Sequence, residues 1–158
     1  MEMTEIITKQ YRAALKMLEN AINACPEPLW VDTGYKNRFW HVAYHALFYT
    51  HLYLQPDEPS FRPWIHHRWG SQNMPTAIEP YTMQQVLEYL QVCREEVNAK
   101  LPLMDLERPS GFPWLTFSTC EVQIYNIRHL QQHIGELCER LGNSGIDVNW
   151  VASDLSGN

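Results

Sequence analysis

His129 and His133 stand four residues apart in the segment Tyr125-Asn126-Ile127-Arg128-His129-Leu130-Gln131-Gln132-His133-Ile134-Gly135-Glu136-Leu137. Apolar residues recur around them at helical intervals. A helix turns about 100° per residue, so the two imidazoles share one face, one turn above the other. Two imidazoles stacked in this way can grip one transition metal, with Zn–N bonds of about 2.0–2.1 Å. His41 and His45 repeat the spacing in an earlier helical segment. Two such pairs are more than random scatter of seven histidines produces. The ordinary alternative is a helical histidine pair that only decorates a surface, and spacing alone leaves both readings open.

Three helical imidazoles would hold a divalent metal and leave a position free for water or substrate, whereas a closed structural zinc site adds a fourth protein ligand, most often cysteine. Cys120 and Cys138 are the cysteines nearest His129 and His133 in sequence. On the helical wheel Cys120 lies about 180° from His129 and Cys138 about 140° from His133, so neither closes the site. Cys25 and Cys93 sit singly in apolar helical patterns and read as buried thiols. His51 lies about 120° from His45 on its own wheel and cannot join the same site.

Four helical segments must position these side chains. Ile6, Ile7, Tyr11, Ala14, Leu15, Leu18 and Ile22 define a first helix from Thr4 to about Ala24, stopped by Cys25-Pro26-Glu27-Pro28. A connector follows. The second helix, from about Asn37 to Leu54, is apolar or aromatic on nearly every side. Such a helix is central in a bundle or packed against a second subunit, and this motivates an expected homodimer. The third helix opens at Thr82 with the capping box Thr82-Met83-Gln84-Gln85 and ends at Pro102. The fourth opens with a second box, Ser118-Thr119-Cys120-Glu121, and Leu141-Gly142-Asn143 is expected to stop it through Gly142. The tail 146–151 is expected to pack back over one end, and the last residues to fray.

Between the second and third helices periodicity stops. Residues 55–80 hold five prolines together with Trp64, His66, His67 and Trp69. A loop of this length in a compact domain tends to be functional. It reads first as a lid anchored by its aromatics. The sharper alternative brings His66 or His67 to the metal.

The pattern predicts an all-α fold, an up-and-down four-helix bundle with a long loop between helices 2 and 3, formed by one domain over 1–158. Alternating directions would make the second and fourth helices parallel. With a rise of 1.5 Å per residue, His45 then lies about 12 Å into its helix, His41 about 6 Å, and His129 and His133 about 17 and 23 Å into theirs. That comparison favours His45 over His41 as the third ligand.

Composition bounds the partners. The formal net charge is −6 with only 12 Lys and Arg, and the absence of any basic run argues against a nucleic-acid surface. No apolar run reaches the about 18 residues that a membrane span needs. The acidic N-terminal residues lack a signal-peptide pattern. A cytoplasmic protein acting on a small molecule is expected.

The aromatic helix FWHVAYHALFYTHLYL with His45, the segment EPYTMQQVLEYLQVCREEV, and RHLQQHIGEL followed by LGNSG and Trp150 resemble the DinB/YfiT-like superfamily. In order and spacing these pieces cover most of the chain. The resemblance implies a four-helix bundle, often dimeric, with one histidine on the second helix and HxxxH on the fourth. By position the implied ligands are His45, His129 and His133, holding a divalent metal, zinc or nickel. His41 remains a rival on the second helix, and the loop 55–80 is longer than the common pattern. Relatives include thiol S-transferases and isomerases that use low-molecular-weight thiols. The expectation is therefore a metal-dependent enzyme, a thiol S-transferase before a hydrolase. A non-catalytic metal- or ligand-binding bundle is the other reading. Tyr44, Tyr49, Tyr125 and Asn126 are near enough in sequence to contact the site, but core packing is the first reading for each of them.

Overall fold

A computed structural model describes residues 2–153. The fold is all-α. Helices α1 (Met3–Ala24), α2 (Glu27–Trp30), α3 (Phe39–Tyr53), α4 (Met83–Lys100) and α5 (Thr119–Asn143) follow in order, with a 3₁₀ turn at Leu101–Leu103. No strand occurs among the described residues. The expected fraying of the last residues falls outside them.

The four long helices form where the periodicity predicts them. Both capping boxes are made: the side chains of Thr82 and Ser118 accept from the N–H of Gln85 and Glu121, which reach back to the cap N–H groups. Two local features differ from the expectation. Pro26 and Pro28 stop α1 but also suit a first turn, so the connector contains the short helix α2. Its Trp30 is buried and donates to the Tyr81 carbonyl at 2.8 Å. Gly142 lies inside α5 and does not end it. Gly145 does, at φ +75°, with Ile146 N–H bonded to Leu141 O and Gly145 N–H to Gly142 O, the pairing of a Schellman cap. Ile146, Val148 and Val151 then pack against the core, as the tail was expected to do, while Trp150 stays exposed.

Each long helix packs on two others: α1 on α4 and α5, and α3 on α4 and α5. Side-chain pairings give their directions. Tyr53 meets Gln123, Thr50 meets Asn126, and His45 meets His129 and His133. One series falls as the other rises, so α3 and α5 are antiparallel. Leu47 pairs with Cys93 and Gln55 with Lys100, so α3 and α4 are parallel. Arg12 with Asn98 and Glu19 with Arg94 make α1 and α4 antiparallel. Tyr11 with Gln123 and Met17 with Gln131 make α1 and α5 parallel. The order is up, down, down, up. This overturns the expected alternation, and with it the parallel second and fourth helices. The reason is the loop. Two parallel neighbours require the chain to return along the length of a helix, about 22 Å for 15 residues, and residues 54–82 make that crossover.

The crossover also covers α3. Trp64 is buried and stacks on Tyr89 at 4.9 Å, Tyr81 stacks on Tyr44 at 4.4 Å, and Tyr81 Oη donates to the His66 carbonyl. Of the fifteen residues of α3, all but His45 and Tyr49 are buried. The apolar surplus that motivates a homodimer is thus covered by the chain itself. No helix among the described residues is long and apolar enough to cross a membrane.

Buried amides tie the α3–α5 seam together. Gln123 donates to the Tyr53 carbonyl at 2.8 Å and accepts from Tyr11 Oη at 2.8 Å, and Asn126 donates to the Thr50 carbonyl at 3.1 Å. Replacing Gln123→Leu strands the buried Tyr53 carbonyl and leaves Tyr11 Oη only its long contact, 3.4 Å, to the Gln123 backbone carbonyl. The expected cost is about 1–3 kcal/mol for each group left unpaired, seen as a lower urea midpoint at unchanged slope.

Candidate metal centre

The antiparallel seam sets His45 of α3 against the turn of α5 that carries His129 and His133. His129 Nε2 lies 3.3 Å from His45 Nε2 and 3.0 Å from His133 Nε2. One ligand nitrogen from each of the three histidines lies within 4.8 Å of the others, and the group includes no cysteine or carboxylate. Two nitrogens bound at 2.0–2.1 Å around a tetrahedral metal are about 3.3–3.4 Å apart. The spacing and the all-imidazole donor set therefore fit a divalent transition metal with an open position.

The tautomer of His45 is settled by its surroundings. Its Nδ1–H donates to the Gln72 carbonyl at 2.6 Å. Nε2 therefore carries the lone pair, and it faces the other two rings. The Nδ1 atoms of His129 and His133 are buried without a hydrogen-bond partner. A Glu136 carboxylate oxygen is 3.3 Å from His133 Nδ1. It lies off the line a hydrogen bond needs, so this is a close charge neighbour rather than a bond. Burial, with a smaller effect from the neighbouring imidazoles, lowers the pKa values of His45 and His129 to about 4. Both are neutral at pH 7, the form that ligates metal.

Aromatic rings wall the cluster. Tyr49 lies 4.8 Å from the ring of His45 and 5.6 Å from that of His129, and Tyr125 stacks parallel to His129 at 6.4 Å. The other two polar neighbours considered from sequence serve elsewhere. Tyr44 Oη bonds His67 Nδ1 at 2.7 Å, and Asn126 caps α3.

The remaining histidines stay out of the group. His41 is buried, stacks on Trp40, and donates Nε2–H to the Ser71 carbonyl at 2.9 Å. His66 is exposed against Trp64, and His67 packs on Tyr44 and Phe48. His51 lies next to Tyr89, Phe61 and Glu96. The loop thus reaches the site through the Gln72 backbone carbonyl and not through a histidine. No side-chain pattern could have flagged that contact, since every residue carries a carbonyl. The helical spacing of Glu136 from His133 was readable. Trp64 anchors the loop, but Trp69 does not, being 79 % exposed.

His45 emerges as the partner of His129 and His133 although the height comparison that favoured it assumed parallel helices. In the antiparallel register, one turn along α3 from His45 carries His41 past His133, toward the C-terminal end of α5.

Comparison with protein-family models, curated proteins and solved structures gives no match.

Burial also lowers the pKa values of His41, His51 and His67. With His45 and His129, five imidazoles bind protons less readily folded than unfolded. Below their ordinary value of 6.5 the unfolded chain takes up more protons, so stability is full above that pH and falls as pH drops toward 4. Urea midpoints of metal-free protein at pH 7, 5.5 and 4.5 are expected to decrease in that order. A flat series would contradict the burial of these rings.

Proposed function

We propose that the chain binds a divalent transition metal, zinc or nickel, through Nε2 of His45, His129 and His133. We further propose that it acts as a metal-dependent enzyme transferring an electrophilic group to a low-molecular-weight thiol. One observation carries the metal reading: three ring nitrogens converge at ligand spacing while the Gln72 carbonyl holds His45 in the ligating tautomer. The resemblance of the two histidine helices to DinB/YfiT-like proteins supports the same reading and is the basis for naming thiols.

In this reading His45, His129 and His133 hold the metal and leave room for a further ligand. When bound, the metal supplies Lewis acidity to a thiol or water nucleophile. Tyr49 and Tyr125 narrow the approach and exclude water from one side. The Gln72 carbonyl orients the imidazole of His45.

Metal analysis of protein purified without chelators tests the first part. About one equivalent per chain is expected for the wild type, and close to none for the His45→Ala/His129→Ala/His133→Ala variant, as three-histidine ligation requires. Equal metal content in the two would end the metal reading.

An electrophilic dye such as monochlorobimane, offered with a panel of small thiols, tests the second part. The thiol loses its proton, sulfur bonds to the dye carbon and chloride leaves. Turnover is expected to require both metal and the three histidines. Bound metal with no turnover for any thiol would leave a binding protein, and release of product from activated esters alone would make it a hydrolase.

A further inference from the structure

A recess of about 330 Å³ lies away from the histidines, where the C-terminal ends of α3 and α4 meet the first turns of α5 and the segment 103–112. Its apolar wall includes Tyr53, Leu54, Met104, Phe112 and Val122. The wall is preformed. Gly111 sits so close to the end of α3 that a Cβ there would lie 2.0 Å from the Pro56 carbonyl oxygen, which locks this segment against the helix.

The polar groups of the recess are mostly committed to one another. Lys100 bonds Glu96 and Gln55, the Gln123 amide spans Tyr11 and Tyr53, and Asp105 accepts the Glu107 N–H at 3.1 Å. Arg108 differs. Its guanidinium is exposed, makes one long hydrogen bond, 3.5 Å to the Pro56 carbonyl, and has no close ion pair among the described residues, with only a weak longer-range pull on the Asp57 carboxylate. The recess therefore offers an apolar floor and one cation without a close ion pair. Both are features of sites that orient a small molecule by a few polar contacts.

We propose that this recess binds a small amphipathic monoanion, an apolar body carrying one carboxylate or sulfonate that pairs with Arg108. The site is independent of the histidine cluster and of any metal held there.

Two fluorescent probes test it: 1-anilinonaphthalene-8-sulfonate, and N-phenyl-1-naphthylamine, its neutral counterpart. Both are expected to bind folded wild-type protein at one per chain. Arg108→Gln should weaken the sulfonate about tenfold, the loss of one charge-assisted contact, and leave the neutral probe unchanged. Ala99→Trp, on the exposed face of α4 bordering the recess, should abolish both by filling it. His129→Ala should alter neither. The proposal fails if neither probe binds the wild type, if Arg108→Gln affects the two probes equally or not at all, or if His129→Ala removes binding. Should Ala99→Trp unfold the protein, the Arg108→Gln comparison decides alone, because that side chain is exposed.

Discussion

Thr50, His51 and Tyr53 end α3 with carbonyls that lack a partner within their own helix. The chain satisfies them with side-chain amides brought from elsewhere: Asn126 bonds Thr50, Gln55 bonds His51, and Gln123 bonds Tyr53. Two of these amides sit on α5, spaced as one helical turn, so they grip α3 at a single register. A slide of one turn would leave buried carbonyls and amides unpaired, at about 1–3 kcal/mol each. The polar contacts thus decide how α3 and α5 align, while the surrounding apolar side chains decide only that they pack. His45 faces His129 and His133 because Thr50 faces Asn126.

The cluster that results is costly on its own terms. Three imidazoles converge with two Nδ1 atoms unpartnered, and burial disfavours a positive charge on His45 and His129. Such an arrangement keeps those two rings neutral, with the Nε2 lone pair of His45 directed inward. Unsatisfied buried polar groups of this kind are uncommon in folded proteins, and they concentrate where function rather than stability has set the side chains. The loop 54–82 takes part through its backbone. The Ser71 and Gln72 carbonyls accept from His41 and His45, so the crossover that returns the chain to the start of α4 also orients a candidate ligand.

Much of this was legible in the chain. The ends of α1 and the starts of α4 and α5 follow from Pro26, Thr82 and Ser118, because proline and capping residues act on backbone groups within a few positions. The shared face of His129 and His133 follows from helical periodicity alone, as does the exclusion of Cys120 and Cys138. The end of α5 was misread by three residues. Gly142 and Gly145 both suit a helix stop, and the choice depended on Ile146 finding a place against the core.

The sequence by itself determined the four long helices, the capping boxes that open α4 and α5, and the pair of imidazoles on α5, since these depend on interactions between residues near one another in the chain. Tertiary structure alone decided the direction of α3 relative to α5, the partnership of His45 rather than His41, the cover that residues 54–82 give α3, and the Gln72 carbonyl beside the site. Those features rest on pairings across 27 to 84 residues of chain. Apolar patterning is nearly indifferent to helix direction, and a backbone carbonyl leaves no mark in the residue types.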